Sequence, residues 1–353
     1  MMRTHVAYLA CAAALTGAGL GAGPAVAAAP ATHLVFPGDS IQKAVDAAQP
    51  GDTVLLTPGT YRQSVKVTTP HLTLRGMGRL TVLEPAKTKA AESCGENGNG
   101  ICVVGKKDKD IEGVTIASLT VTGFSKAGVI AVGTDRLTVR NVNAVKNGVW
   151  GIAQERSVRS VLRDNTARDN GDAGLFLANT IRAEEGAADT EGTVVERNLL
   201  QGNRIGVTVR RLRDLTVAHN RVTGNCAGVF VVGDENKPRA GALTVRDNRI
   251  ARNNKSCPKT ARLDALQGSG IVLTGTEDTL VTNNRVLDNV GDSSMSGGIV
   301  LFKSFVGTPN DRNRITGNVL QGNSPADLVN AGTGDGNTFQ GNSCRASRPA
   351  GLC

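Results

Sequence analysis

The sequence predicts a β-solenoid, a chain wound into stacked coils of short parallel strands, and three observations predict it. A phrase of Asn, four residues and Asn recurs at Asn165/Asn170, Asn198/Asn203, Asn220/Asn225, Asn248/Asn253, Asn284/Asn289 and Asn318/Asn323. Gly-led apolar runs follow five copies: Gly174-Leu-Phe-Leu, Gly206-Val-Thr-Val, Gly228-Val-Phe-Val, Gly270-Ile-Val-Leu and Gly298-Ile-Val-Leu. The shortest interval, Asn198 to Asn220, is 22 residues. That is too short for a helical crossover with its strands, but suits one solenoid coil.

Taken in chain order, Arg3, the apolar stretch 6–20 and Ala25-Val26-Ala27 read as a secretory signal peptide over residues 1–27. The stretch is too short and Gly-rich for a membrane anchor; Cys11 is the residue a lipoprotein reading would need. No later apolar run approaches membrane-spanning length, so no membrane insertion is expected. Residues 28–353 then form a single domain: an N-terminal cap over 34–50, coils over 51–343 and a tail over 344–353. In the cap, Ser40 is placed to N-cap a short helix with Ile41, Ala44, Val45 and Ala48 on one face. Pro50-Gly51 ends the helix and Thr53-Val-Leu-Leu-Thr57 begins strand structure. A helix there covers the open edge of the first coil.

Within a coil the pattern has period 2. In Leu243-Thr-Val-Arg-Asp-Asn248, Leu243 and Val245 point inward and Thr244 and Arg246 outward; Ile250 continues the inner row. The asparagines read as corners in the αL conformation, with amides hydrogen-bonded to the Asn above and below; a catalytic role for one of them is the alternative. First asparagines from Asn165 to Asn342 are spaced 33, 22, 28, 36, 34 and 24 residues apart. The excess forms loops, at about 181–192, 234–241, 255–267 and 303–311.

The run Ile41-Gln-Lys-Ala-Val-Asp-Ala-Ala-Gln-Pro-Gly-Asp-Thr-Val-Leu-Leu-Thr-Pro-Gly-Thr-Tyr61, followed by Leu72-Thr-Leu-Arg-Gly76, resembles the N-terminal cap and first coils of the pectate-lyase-like superfamily. The Asn and Gly-Ile phrases resemble its repeats. The resemblance implies an all-β, right-handed parallel β-helix with a short N-terminal capping helix. For activity it leaves lyases, hydrolases, epimerases, adhesins and chain-binding proteins open.

After Arg3 leaves with the signal peptide, the formal charge of +9 becomes +8, which favours anionic partners. No nucleic-acid motif is present and aromatic content is 3%, too little for a base-stacking platform, so no nucleic acid is expected. Six cysteines remain, 94, 102, 226, 257, 344 and 353, an even number that fits disulfides in an exported chain. Coil alignment makes Cys226 and Cys257 neighbours, Cys94 and Cys102 flank a Gly/Asn loop, and Cys344 with Cys353 can tie the tail.

Candidate chemistry lies on the outer faces. On the Gly-led strands one outward column reads Ile130, Ala153, Phe176, Thr208, Phe230, Val272 and Val300. The next reads Val132, Glu155, Ala178, Arg210, Val232, Thr274 and Phe302. A bare apolar stripe is unusual, so loops cover it or it binds something. Arg221, Arg249 and Arg285 should stack as an outward ladder, either a solvated face or a row for a polyanion, with Arg246, Asp247 and Asp288 near. Trp150 can stack a sugar or simply pack. Asp234, Glu235, Glu277 and Asp278 cluster just past the Gly-led strands, either as turn residues or as oxygen ligands for Ca²⁺. In a lyase reading, that ion would acidify the α-proton of a uronate, and Arg210, Arg211 or Lys303 would abstract it. The motifs Gly-His-Gly, Asn-Thr-Asp and Asp-Pro-His of related hydrolases and epimerases are absent. The expectation is a secreted, extracellular protein interacting with acidic polysaccharide, more by binding than by catalysis. The alternative is a Ca-dependent polysaccharide lyase.

Overall fold

The structure is a computed structural model that describes residues 29–87, 93–106, 108–261, 263–332 and 334–353. The signal-peptide reading of 1–27 lies outside these residues.

A strand with apolar residues on one face must bury that face, and here three such faces close on one another. Among the described residues, twelve strands from Thr32–Val35 to Thr338–Gln340 form the first sheet. Ten from Gly59–Arg62 to Val319–Gln321 form the second, and eleven from Val65–Val67 to Ser347–Arg348 the third. Neighbouring strands come from successive coils and pair parallel, so equal positions stack. Val217, Val245, Val281 and Ile315 stack in the first sheet. Val222, Ile250, Val286 and Leu320 do so in the second, and Val229, Ile271, Ile299 and Leu328 in the third. All twelve belong to one buried core. The predicted inner residues Leu243, Val245 and Ile250 are buried, and Thr244 and Arg246 face outward.

Two asparagine ladders run along the corners. In one, the Nδ2 of Asn165, Asn198, Asn220, Asn248, Asn284 and Asn318 each donates to the Oδ1 of the next, ending at Asn342, at 2.9–3.0 Å. The other joins Asn147, Asn170, Asn203, Asn225, Asn253, Asn289 and Asn323. Each amide also satisfies the core-facing backbone, as Asn220 Nδ2 does at Val195 O. The expected αL geometry falls one residue earlier: Asp164, Arg197, His219, Asp247 and Asn283 have φ of 53–57°. The αL residue turns the chain, and the asparagine after it is thereby aimed inward and buried.

The helix Ile41–Ala47 forms as expected, with Ser40 Oγ accepting from Lys43 N, and Ile41 and Val45 buried. Disulfides join Cys94–Cys102, Cys226–Cys257 and Cys344–Cys353, the sequential pairing expected, of which Cys226–Cys257 follows from coil alignment. The expected loop 181–192 is shorter than the sequence implies. Ala188–Glu196 is a strand of the first sheet, with an irregularity between Asp189 and Thr193.

The cap is pinned by one carboxylate. Asp52 is bonded to His33 Nε2 at 2.9 Å and accepts from Gln49 N and Ala31 N at 2.9 and 2.7 Å. These bonds hold its pKa at about 2, below the ordinary 3.8. A depressed pKa stabilises the fold above pH 4, and that contribution is lost as pH falls toward 2. Hydrogen exchange should therefore show the amides of Ala31 and Gln49 losing protection in this window. In Asp52→Asn that pH step should disappear; if it persists, the cap is held by other groups.

Candidate functional site

The third sheet's outer face carries the site. Its strands place Ile130, Ala153, Phe176, Thr208, Phe230, Val272 and Val300 in one register row, as the alternation requires. Val132, Glu155, Ala178, Arg210, Val232, Thr274 and Phe302 form the next row. Loops cover most of the apolar stripe. Leu266, Met295, Ala326 and the Cys226–Cys257 bridge pack on it as a second buried cluster.

Where the cover parts, a groove of about 810 Å³ opens. Its floor holds Trp150, Phe176, Thr208, Phe230 and Val232. Its walls come from Ile181, Arg182 and Glu184 on one loop, Thr260, Ala261 and Leu263 on another, and Phe305 and Val306 on a third. Trp150 and Phe176 stack with centroids 4.6 Å apart and planes inclined by 20°. Trp150 Nε1 donates to Asp172 Oδ2 at 3.1 Å, which orients the indole. Trp150 is half-buried, so it both packs and lines the groove.

Glu155 and Arg210, the charged members of the outward rows, fasten the groove's wall. Glu155 Oε1 accepts from Ile181 N at 3.0 Å. Arg210 Nη1 donates to Thr180 O and Ile181 O at 2.8 and 3.3 Å. Arg211 is buried and paired with Asp234, and Glu184 lies 3.5 Å away. A guanidinium stays protonated and is here committed to a carboxylate, so Arg211 is not placed to abstract a proton. Lys303 is exposed at the end of the strand Gly297–Phe302.

The four carboxylates expected as cation ligands are not gathered as a cation site. Asp234 is paired with Arg211 and accepts from Asn236; Glu235 is exposed. Glu277 meets Arg213, Arg239 and Arg312, at 2.9, 3.8 and 3.1 Å. Asp278 is bonded to Arg312 at 2.8 Å, which lowers its pKa. Arginine has taken the place of a cation at each ion-paired member. Among the described residues, no group of three or more His, Cys, Asp or Glu side chains is placed to hold a metal ion.

Arg221, Arg249 and Arg285 stack in register on the second sheet and are exposed. Of their expected neighbours, Asp247 pairs with Arg246, and Asp288 lies 3.7 Å from Arg252. The ladder is a separate surface from the groove. Sequence reasoning missed Arg204, a buried groove residue just past the corner Asn203. The available signal was a charge where the other coils place Gly148, Gly171, Cys226, Asn254, Val290 and Ser324.

Residues 89–242 match the family described as "Right handed beta helix region", and residues 179–348 that of "Periplasmic copper-binding protein (NosD)". The described residues do not fit a copper site. The six described cysteines are in disulfides, and His33, His71 and His219 lie on separate coils, His33 against Asp52 and His219 beside Arg246. No curated protein matches the sequence. Among solved structures, the A-module of the mannuronan C-5 epimerase AlgE4 of Azotobacter vinelandii is similar at 19% identity. Its TM-score is 0.56, over 86% of this chain and 90% of that one. An alginate lyase from Paenibacillus sp. is similar at 16% identity and TM-score 0.56, over 86% and 99%. DFA-IIIase from Arthrobacter chlorophenolicus is similar at 14% identity and TM-score 0.59, over 84% and 75%. At these identities the likeness is one of fold, and the fold is a right-handed parallel β-helix.

Proposed function

We propose that this is a secreted protein that binds an extracellular acidic polysaccharide along the third-sheet groove and holds the chain without cleaving it. The observation that carries the reading is the Trp150–Phe176 stack in a groove bordered by Arg182, Arg204, Arg210 and Arg211. Aromatic faces suit the apolar faces of sugar rings, and guanidinium groups suit carboxylates. Polysaccharide-acting proteins among the structural neighbours support the ligand class. Binding is favoured over lyase chemistry because Arg211, one of the candidate bases, and Asp278, one of the candidate metal ligands, are neutralised by Asp234 and Arg312. Export is supported by the apolar N-terminal stretch and the three disulfides.

The test is titration with a polyuronate and with a neutral glucan. The polyuronate should bind saturably, more weakly as salt rises, and release no unsaturated products with or without Ca²⁺. Trp150→Ala should weaken it by about 2 kcal/mol, roughly thirtyfold in affinity. Changing Arg221, Arg249 and Arg285 together to Gln should flatten the salt dependence and cost less affinity than Trp150→Ala. Unchanged binding in Trp150→Ala would move the site off the groove. Accumulation of unsaturated products would make the protein a lyase.

A further inference from the structure

One cation in the groove differs from the rest. Arg182 is exposed, Arg210 is spent on the carbonyls of Thr180 and Ile181, and Arg211 is paired with Asp234. Arg204 is 6% exposed and, among the described residues, has no carboxylate within ion-pair distance. Its Nη1 and Nη2 donate to Pro258 O and Asp264 O at 2.7 and 3.0 Å, which fixes the guanidinium plane. Asp172 acts on it electrostatically, but that carboxylate also holds the indole of Trp150. A buried charge without a direct counter-ion is costly, and an anionic ligand group would relieve that cost.

A second observation lies on the same strand, Ile205–Arg210. Thr208 is the one hydroxyl in the register row from Ile130 to Val300. It sits between Phe176 and Phe230, lines the groove and is 5% exposed. Its buried Oγ1 has no hydrogen-bond partner among the described residues. Buried hydroxyls are normally satisfied, so an unsatisfied one on a groove floor marks a position for a ligand group.

We propose that Arg204 and Thr208 form a subsite for one charged sugar unit. Arg204 takes its carboxylate or sulfate, Thr208 hydrogen-bonds a ring hydroxyl, and the ring lies against the Trp150–Phe176 pair. The inference rests on the groove being a polysaccharide site and adds that acid recognition is built into its floor, apart from the exposed arginine ladder. Pre-orientation by the two carbonyls means little side-chain freedom is lost on binding.

Trp150 is the chain's single tryptophan, so its emission reports directly on the groove. The full-length mature protein is titrated with glucuronate, glucose 6-sulfate and glucose. At least one anionic sugar should bind about tenfold or more tighter than glucose, and comparing the two identifies the preferred anion. Arg204→Gln should erase that advantage, and Arg204→Lys should keep part of it. Because Arg204 also holds the loop carbonyls, Thr208→Val serves as a second variant. It preserves shape and removes only an unpaired hydroxyl, and should weaken all three sugars by roughly three- to tenfold. Equal affinity of all three sugars for the unaltered protein overturns the subsite, as does retention of the anion advantage in both Arg204 variants. If polyuronate binding still depends on Trp150 in either case, the groove remains the polysaccharide site and only the subsite falls. If neither the sugars nor the polyuronate bind, both readings fall.

Discussion

Asn220→Ala is expected to destabilise the protein by about 3–5 kcal/mol, the largest effect foreseen for a single side chain. Asn220 is 1% exposed, and its Oδ1 accepts from both Asn198 N and Asn198 Nδ2 at 2.9 Å. Its Nδ2 donates to Val195 O and Asn248 Oδ1 at 2.9 and 3.0 Å. Alanine removes all four bonds and leaves the Asn198 amide and the Val195 carbonyl in a dry interior. Each orphaned group costs about 1–3 kcal/mol. Denaturant unfolding should show the loss, and hydrogen exchange should localise it to the coils on either side. The same change at Asn342, a half-buried last rung, should cost far less because water can reach its neighbours. Equal costs at the two positions would mean the ladder contributes nothing beyond local turn geometry.

The next largest effect is expected at Gly228. A Cβ there would lie 2.5 Å from Gly270 O and 2.6 Å from Ile250 Cγ2. The obstacle recurs along the column: the same construction at Gly206 meets Gly228 O at 2.6 Å, and at Gly270 meets Gly298 O at 2.2 Å. Coils in a parallel sheet sit about 4.8 Å apart. They cannot separate locally without breaking strand hydrogen bonds. Gly228→Ala should therefore cost about 3 kcal/mol, the upper part of the range for overpacking. A cost under about 0.5 kcal/mol, within the ordinary surface-substitution range, would show that the stack breathes enough to admit a methyl group.

This close approach explains why glycine opens each apolar run, and why so much of the coil is legible in the sequence. Asparagine and glycine positions answer to constraints that repeat every turn. The register of Arg221, Arg249 and Arg285, the inward Val245 and Ile250, and the Cys226–Cys257 bridge all follow from that repeat. The shift of αL from the asparagines to the residue before them was not legible, because both positions favour polar residues. The groove was only half legible. Trp150, Phe176 and Arg210 sit on strands and obey the repeat. Arg204 is buried by a loop of unrepeated length, through the carbonyls of Pro258 and Asp264 some 54 and 60 residues away. The same holds for Arg213–Glu277 and Arg239–Asp311, where loops of unequal length bring partners together across 64 and 72 residues. Ion pairs of that kind hide what looks, in one dimension, like a carboxylate cluster.

The ladders also have a direction. Along each ladder a rung donates to the next rung toward the C-terminal end and receives at its oxygen from the N-terminal side. Aligned amide dipoles add, as they do along a helix, so each ladder is electrically positive at its C-terminal end. One ladder ends at half-buried Asn342, within reach of water. The other ends inside the protein, where the carboxylate of Asp327, 2% exposed, accepts from both Asn323 N and Asn323 Nδ2 and from Arg345 N. Asp327 thus acts as a stop for that column: its carboxylate accepts from the last rung but has no N–H to hand on. The length of the solenoid is written there as a change from amide to acid.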